Sequence, residues 1–322
     1  MSKINVYVYS KIPNLSKEVK KILPSIAIHD VESDDIDKLK QAEIVVADFD
    51  LMAPHIYNLP KLKWLQGTWA GVDKIVPHVS KPLPFLMTRF SGQHFGRMMS
   101  EYIIACIVNY ERDFKLMDLN QQNQIWSKEG KISNYRNISD LTIGILGLGN
   151  IGCWVGRCLN MLGAKILGYG SKIELNPSVD YISPESYYTK NTLPEFLKRS
   201  DYIINTLPTT NHTTGLLNGN ILKNCEEKRT TFINVGRGTI IDEDDLVYAI
   251  KNQWLSGAIL DVFHMEPLPK SSPLWTMKEV QITPHVSAES KPLHIAELFK
   301  ENLSLYLENK PISTTFVLDK GY

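Results

Sequence analysis

The 322-residue sequence lacks the features that mark several protein classes. Its four cysteines form no CxxC pair and are too few for a disulfide scaffold or a zinc ribbon. It has no run of about 18 apolar residues, so we expect no membrane-spanning helix. Lys and Arg together number 35, as do Asp and Glu, so the basic excess of a nucleic-acid-binding protein is absent.

The sequence does have the composition of a globular protein. Hydrophobic residues make up 43% of the chain, which is enough to bury an ordinary core. The N-terminus passes directly into an alternating strand pattern, without the long apolar stretch of a signal peptide. At roughly 150 residues per domain the length indicates two domains. We therefore expect a cytoplasmic protein of two α/β domains, with neither a membrane nor a nucleic acid as partner.

Short β-branched runs alternate with helical stretches, a pattern typical of parallel sheets covered by helices. A long helix is predicted over roughly Met98–Asp118, between two groups of strands. The first group predicts a small doubly wound unit, and the second has the six strands of a complete dinucleotide-binding sheet. The predicted strands are Ile4–Tyr9, Ile44–Ala47, Trp64–Gly67 and Phe85–Met87, then Thr142–Leu146, Lys165–Tyr169, Tyr202–Leu207, Thr231–Val235, Ala258–Val262 and Val280–Thr283.

The last predicted helix, about His294–Glu308, is expected to pack on the first domain. The predicted domains are therefore residues 1–98 with 288–322, and residues 99–287. The polar segment Gln121–Gly130 is interpreted either as a surface loop or as an arm that grips a second subunit.

A glycine loop with the spacing G-x-G-x-x-G follows the predicted strand at Thr142–Leu146 and opens a predicted helix, Ile151–Leu162. In that context Gly147 allows a tight turn, Gly149 lets a pyrophosphate approach the backbone, and Gly152 lets helix and strand pack closely. Asn150 and Ile151 lie at the helix N-terminus, which favours phosphate groups. The loop predicts a bound dinucleotide.

The next strand indicates which dinucleotide is preferred. NAD enzymes usually carry Asp or Glu about 20 residues after the glycine loop, to bind the ribose 2′-hydroxyl. Here the strand is followed by Gly170, Ser171 and Lys172. No carboxylate would repel a 2′-phosphate, while Ser171 can donate a hydrogen bond and Lys172 is cationic. We predict a preference for NADP(H), with NAD(H) possible.

Three polar residues follow three late strands: Arg237, Glu266 and His285. The carboxyl ends of strands are where open α/β sheets place their ligand crevice. A protonated His285 can donate to the carbonyl oxygen of a ketone that receives a hydride, and a carboxylate at Glu266 would favour that protonated ring and orient it. Arg237 can hold a substrate carboxylate or polarise the carbonyl.

These segments resemble the signatures of the D-isomer-specific 2-hydroxyacid dehydrogenases. Within that family the chain looks like the glyoxylate/hydroxypyruvate reductase A branch, on the segment Gly96–Tyr102 and the ending Asp319–Tyr322. The motifs span the chain in the right order: Gln66–Asp73, the glycine loop, Leu207–Leu216, Asn234–Gly238, Leu260–Leu268 and Thr283–His285.

The resemblance implies a Rossmann cofactor domain, a smaller flavodoxin-like substrate domain and a homodimer joined through the cofactor domain. It implies that Arg237, Glu266 and His285 are catalytic and that a cleft between the domains closes over the substrate. In the segment Gln66–Asp73, backbone amides would grip the substrate carboxylate. The further site residues on this interpretation are Trp69, Ala70 and Gly71 for substrate, and Leu207, Pro208, Thr213, Val235, Gly236 and Asp261 for cofactor.

The predicted function is NADPH-dependent reduction of small 2-keto acids, such as glyoxylate or hydroxypyruvate, to D-2-hydroxy acids. One alternative is a bulkier 2-keto acid such as phenylpyruvate, and another is a non-catalytic NAD(P)-sensing protein similar to transcriptional corepressors. His264 and Glu266 form an H-x-E pair, but it lies on a predicted loop without a third ligand, and hydride transfer needs no metal. We expect no metal site.

Overall fold

The computed structural model describes residues 4–32, 35–171 and 179–318. The chain divides into two compact units, the first formed by Met1–Phe95 with Glu289–Tyr322 and the second by Gly96–Ala288. The boundaries predicted from the sequence lie after residues 98 and 287. The first unit therefore contains both ends of the chain, and the functional role of each unit is a proposal taken up below.

Strands and helices alternate through the described part of the chain. The strands are β1 (Asn5–Tyr9), β2 (Ala27–Asp30), β3 (Ile44–Ala47), β4 (Trp64–Gly67), β5 (Leu86–Thr88), β6 (Thr142–Leu146), β7 (Lys165–Tyr169), β8 (Tyr187–Tyr188), β9 (Tyr202–Asn205), β10 (Thr230–Asn234), β11 (Leu255–Leu260) and β12 (Val280–Ile282). The α-helices are α1 (Leu15–Ile22), α2 (Phe49–Met52), α3 (Gln93–Arg112), α4 (Phe114–Gln122), α5 (Asn150–Met161), α6 (Leu193–Arg199), α7 (Glu243–Lys251) and α8 (Pro292–Leu307).

The sheet of the first unit has the order β2-β1-β3-β4-β5, and all its strand pairs are parallel. All residues of β3 and β4 are buried, as expected for strands covered on both faces. Helix α8 packs against α1 in this unit. The sequence analysis missed the edge strand β2, because Ala27–Asp30 is short, ends in two polar residues and has only one β-branched residue.

The sheet of the second unit has the order β12-β11-β10-β9-β6-β7-β8 and is also entirely parallel. The chain runs outward from β6 through β7 to β8 and then returns to β9 on the other side of β6. Ligands of such sheets bind beyond the carboxyl ends of the strands at this reversal. The prediction of two doubly wound parallel-sheet domains is confirmed. The second sheet has seven strands rather than the predicted six, because β8 is only two residues long and gives no strand pattern in the sequence.

The predicted helix Met98–Asp118 is two helices, α3 and α4. Asp113 lies between them with a left-handed backbone (φ 52°), and its carboxylate accepts a hydrogen bond from the backbone N–H of Leu116. This side-chain cap starts a new helix, and the apolar periodicity of the sequence does not reveal it. In the following segment Gln121–Gly130, the Trp126 side chain is 95% exposed, so both interpretations of that segment stay open.

No helix among the described residues is long and apolar enough to span a bilayer. All four cysteines are free thiols. Burial raises the pKa of the Cys106 thiol to about 11 and that of Cys225 to about 12, so both are protonated at neutral pH. These two cysteines are core residues rather than nucleophiles.

Candidate active site

The glycine loop joins β6 to α5 at the strand reversal of the second unit. Gly147 has φ +99°, a backbone conformation that favours glycine. A Cβ at Gly152 would overlap the carbonyl oxygen of Gly147, so only glycine allows this close packing. A Cβ at Gly149 would meet no atom within 4 Å, which leaves open space beside the helix N-terminus that includes Asn150 and Ile151. The loop therefore fits the pyrophosphate of a dinucleotide.

Side chains at the ends of β9 and β10 hold the backbone around the glycine loop through hydrogen bonds. Thr206 Oγ1 donates to the carbonyl oxygen of Gly147 at 2.8 Å. The Asn205 amide nitrogen donates to Asn234 Oδ1 at 2.9 Å, and the backbone N–H of Leu207 donates to Asn205 Oδ1 at 3.1 Å. Asn205 and Asn234 are fully buried or nearly so, which makes this link between the carboxyl ends of β9 and β10 rigid.

The other residues predicted to hold the cofactor lie on the same strand ends. Val235 and Gly236 directly follow β10, and the backbone N–H of Gly236 donates to Asn234 Oδ1 at 3.2 Å. Thr213 Oγ1 donates to the carbonyl oxygen of Pro208 at 2.6 Å, which folds the segment after β9 back on itself. The structure thus brings the glycine loop and these segments to one edge of the sheet.

The position of the usual ribose-binding acid is occupied by Gly170, which follows β7. A Cβ at Gly170 would overlap the hydroxyl of Tyr187 on β8. Ser171 is exposed at the end of the strand, and Lys172 lies outside the described residues, as does the predicted signature Asp319–Tyr322. The Tyr187 side chain thus occupies the space that a side chain at position 170 would enter, a contact that the sequence does not indicate.

His285 and Glu266 form a hydrogen-bonded pair at the carboxyl ends of β12 and β11. Nδ1 of His285 lies 2.7 Å from Oε2 of Glu266. The other carboxylate oxygen, Oε1, accepts from the backbone N–H of Phe263 at 2.9 Å, which fixes the carboxylate. The His285 side chain is 55% exposed, so the ring is open to a reactant. With Nδ1 engaged by Glu266, Nε2 is the nitrogen left to face that reactant.

Asp261 supports the segment that carries His285. Its fully buried carboxylate accepts from Thr283 Oγ1 at 2.6 Å and from the backbone N–H groups of Val286 and Ser287, each at 2.9 Å. The backbone N–H of His285 donates to the carbonyl oxygen of Asp261 at 2.9 Å. These bonds hold His285 in a left-handed conformation (φ 56°), which is uncommon for a residue with a side chain.

Tyr102 of α3 extends the same network. Its hydroxyl lies 2.6 Å from Thr283 Oγ1. The single proton of the Thr283 hydroxyl is donated to Asp261, so Tyr102 must be the donor in its bond to Thr283. Burial raises the pKa of the Tyr102 phenol far above its ordinary value, which keeps it protonated for that purpose. Sequence reasoning assigned Asp261 to the cofactor and did not find this support for His285.

Arg237 follows β10, the neighbour of β11 in the sheet. Its Nη1 donates to the carbonyl oxygen of Gly236 at 2.6 Å. A Cβ at Gly238 would overlap the backbone of Phe263 and His264, so the segment carrying Arg237 is packed against the segment that leads to Glu266. The three predicted catalytic residues therefore follow three adjacent strands, β10, β11 and β12.

The first unit holds the segment predicted to bind the substrate carboxylate. The backbone of this segment, which includes Trp69, Ala70 and Gly71, is anchored at Thr68 and at Ala70. Thr68 Oγ1 donates to the buried Asp48 at 2.6 Å, and Ser290 Oγ donates to the carbonyl oxygen of Thr68 at 2.6 Å. Arg89 Nη1 donates to the carbonyl oxygen of Ala70 at 3.1 Å. Asp48 and Arg89 carried no sequence signal, since each lies about 20 residues from the segment it holds.

The sequence profile described as "D-isomer specific 2-hydroxyacid dehydrogenase, NAD binding domain" matches residues 104–287. That range includes the glycine loop and the trio of polar residues. The chain belongs to this family. Membership confirms the family resemblance of the sequence and makes the protein an NAD(P)-dependent oxidoreductase.

Relatives of this family match the chain over most of its length. A glyoxylate/hydroxypyruvate reductase A of Klebsiella pneumoniae is 31% identical over 266 residues, which are 81% of this chain and 82% of the relative. A solved structure of a family member from Aeromonas salmonicida has 28% identity and a TM-score of 0.80, covering 98% of this chain and all of that one. The chain is therefore similar to the reductase A branch that the sequence analysis indicated.

A second solved structure is the NADPH-dependent glyoxylate/hydroxypyruvate reductase of Sinorhizobium meliloti, in complex with NADP and sulfate. It has 25% identity and a TM-score of 0.81, covering 99% of this chain and all of that one. The dehydrogenase fold is thus shared over nearly all of the chain.

Proposed function

We propose that this dehydrogenase catalyses the NADPH-dependent reduction of small 2-keto acids, with glyoxylate and hydroxypyruvate as substrates and D-2-hydroxy acids as products where a stereocentre forms. The observation that carries the proposal is the hydrogen bond of 2.7 Å between His285 and Glu266, in the same sheet unit as a glycine loop that fits a dinucleotide. The names and bound nucleotides of the relatives support the same substrates and cofactor.

The proposed catalytic roles follow from the groups that each side chain offers. The bound nicotinamide supplies the hydride. His285, held through Nδ1 by Glu266, donates a proton from Nε2 to the carbonyl oxygen, so that hydride and proton together convert the C=O group into CH–OH. Arg237 binds the substrate carboxylate or polarises the carbonyl, for which its planar, permanently charged group is suited.

The remaining assignments belong to the same proposal. Gly147, Gly149 and Gly152 hold the pyrophosphate, and Ser171 and Lys172 favour the 2′-phosphate of NADP(H). The backbone of Trp69, Ala70 and Gly71 binds the substrate carboxylate. We also propose a cytoplasmic homodimer joined through the cofactor unit, for which the test is the molar mass by light scattering: the mass of one chain would contradict it.

Steady-state kinetics test the reaction. Purified protein is mixed with NADPH or NADH and a panel of glyoxylate, hydroxypyruvate, pyruvate and phenylpyruvate, and the loss of nicotinamide absorbance is followed. We expect the highest kcat/KM for NADPH with glyoxylate or hydroxypyruvate. Equal or better turnover with NADH would contradict the cofactor preference, and a clear preference for phenylpyruvate would favour a dehydrogenase of bulkier acids.

The variant His285→Asn tests the role of the imidazole. It should lower kcat by about 10²–10⁴-fold, the usual contribution of a positioned acid–base group. The Kd for NADPH, measured by fluorescence, should stay unchanged because the ring binds the reactant and not the nucleotide. NADPH binding by the wild type without turnover of any keto acid would instead favour the nucleotide-sensing alternative.

A further inference from the structure

Three side chains with metal-ligand atoms come together in the first unit, and none of them is assigned to the reaction. His94 lies in the first turn of α3, while His294 and Glu297 lie near the start of α8. One ligand atom from each side chain lies within 4.8 Å of the other two. Nδ1 of His94 is 3.6 Å from Oε2 of Glu297, and the two imidazole rings are stacked with centroids 5.2 Å apart.

The helices explain why these side chains converge. His294 and Glu297 are three residues apart on α8, so they project from the same face of that helix. His94 approaches them from the start of a second helix. Ligands carried by helices are held more precisely than ligands on loops, which reduces the cost of ordering them around an ion.

The ligand set is that of a zinc site with three protein ligands. Two imidazole nitrogens and one carboxylate oxygen occur together in Zn²⁺ sites that leave a fourth position for solvent. Bonds of about 2.0–2.1 Å place neighbouring ligand atoms of a tetrahedron about 3.3 Å apart. The distance of 3.6 Å between Nδ1 of His94 and Oε2 of Glu297 is close to that value, and all three ligand atoms lie within 4.8 Å of one another.

The burial and hydrogen bonding of the His94 ring are a separate observation that points to a bound ion. Its side chain is only 15% exposed, and Nε2 is buried without a hydrogen-bond partner among the residues that the structure describes. Its Nδ1 contact with Glu297 is too long for a good hydrogen bond. Neither nitrogen of this largely buried ring therefore has a good hydrogen bond among the described residues, and coordination of an ion by Nδ1 would satisfy that nitrogen.

We propose that His94, His294 and Glu297 bind one divalent transition-metal ion, Zn²⁺, with solvent as the fourth ligand. The ion joins the first turns of α3 and α8. His94 is two residues before the point where the chain enters the second unit, and His294 is six residues after the point where it returns. The ion thus links two chain segments that connect the units, and its fourth position stays open to solvent.

Titration calorimetry with ZnCl₂ tests the site on untagged, full-length protein that has been treated with a chelator and dialysed. We expect one Zn²⁺ per chain for the wild type. His94→Ala and Glu297→Gln should each raise Kd at least about tenfold, since even indirect partners of a metal contribute this much to affinity. His212→Ala, at an exposed histidine of the second unit, is the matched control and should bind as the wild type does.

Two further measurements keep the test decisive. Co²⁺ in place of Zn²⁺ should give the visible absorption of a four-coordinate site in the wild type and lose it in Glu297→Gln, a variant of nearly unchanged volume. The variant His285→Asn should bind Zn²⁺ normally, so the outcome is independent of the proposed reductase activity. Absence of saturable binding by the wild type, or equal affinity in His94→Ala, Glu297→Gln and His212→Ala, would overturn the proposal.

Discussion

The hydroxyl of Tyr187 fills the space into which a side chain at Gly170 would project. Gly170 directly follows β7, at the position where many dehydrogenases of this family carry the aspartate that binds the ribose of NAD. Since β8 pairs with β7 in parallel, Tyr187 is held beside this position by the sheet itself. An acid at position 170 would therefore require the Tyr187 side chain to move.

This contact predicts that substitutions at positions 170 and 187 have coupled effects on the free energy of unfolding. Gly170→Ala should lower the free energy of unfolding by about 1 kcal/mol, the low end of the cost of overpacking, because the half-buried Tyr187 side chain can move part of the way. Tyr187→Phe removes the overlapping hydroxyl and leaves the nearest ring carbon 3.2 Å from the new Cβ, so the double variant should recover most of that loss. Urea unfolding of the two single variants and the double variant measures the coupling. Additive effects would show that Tyr187 does not restrict position 170.

Two glycines of the phosphate loop should respond differently to the same substitution. Gly152→Ala forces a Cβ onto the carbonyl oxygen of Gly147 and should destabilise the fold by about 3 kcal/mol. At Gly149 the new methyl group meets no protein atom, and the backbone angles of φ −84° and ψ −164° suit any residue.

The free energy of unfolding of Gly149→Ala should therefore lie within about 0.5 kcal/mol of that of the wild type. Its Kd for NADPH should rise about tenfold, because the methyl group occupies the space that the pyrophosphate needs. Unfolding curves and fluorescence titration with NADPH measure the two effects. Unchanged NADPH affinity in a folded Gly149→Ala protein would place the nucleotide elsewhere.

Asp261 is expected to act through His285. Asp261→Asn replaces an acceptor by an N–H₂ donor, so the hydroxyl of Thr283 or a backbone N–H of the His285 segment loses its partner. We expect kcat to fall about 100-fold through misplacement of the ring, with an unchanged Kd for NADPH. Tyr102→Phe removes only the outer hydrogen bond and should lower kcat less. A rise in the NADPH Kd of Asp261→Asn would instead support direct contact with the cofactor.

Glu111 should make stability depend on pH. It is buried on α3 and accepts hydrogen bonds from Arg136 Nη2 at 2.6 Å and from the Tyr202 hydroxyl at 2.7 Å. Burial raises the pKa of this carboxyl, but the hydrogen bonds from Arg136 and Tyr202 and the charge of Arg136 outweigh burial, and the pKa lies below its ordinary value. The ionised Glu111 therefore adds to the free energy of unfolding. This contribution is fully present above the pKa of the unfolded state and is lost as pH falls through the lower pKa of the folded state.

We therefore expect Glu111→Gln to lose about 1–3 kcal/mol of unfolding free energy at pH 7, since Arg136 then loses the carboxylate at 2.6 Å and keeps only its contact with Asp201 at 3.4 Å. The deficit should shrink as pH falls below about 4.3, where the wild type protonates Glu111 in the unfolded state. Urea unfolding from pH 7 to pH 3 measures this, with Glu226→Gln at an exposed position as control. Parallel curves for wild type and Glu111→Gln would refute the assignment.

Much of the fold and the core of the candidate site could be predicted because their signals are local. The glycine loop, its strand and its helix occupy adjacent positions in the chain, and each glycine has a local steric reason. Arg237, Glu266 and His285 are far apart in sequence, yet each follows a strand, and a parallel sheet brings strand ends to one edge. The pairing of His285 with Glu266 therefore agrees with expectation.

The tertiary structure alone decided which distant side chains touch. Tyr187 meets Gly170 through the unpredicted pairing of β8, Asp261 turns towards the His285 segment, and His94 lies against His294, 200 residues later in the chain. The sequence by itself determined the family and the alternation of strands and helices, and it supplied the proposed catalytic residues, because these depend on local pattern. Contacts between remote residues depend on strand register and helix packing, which a linear pattern does not specify.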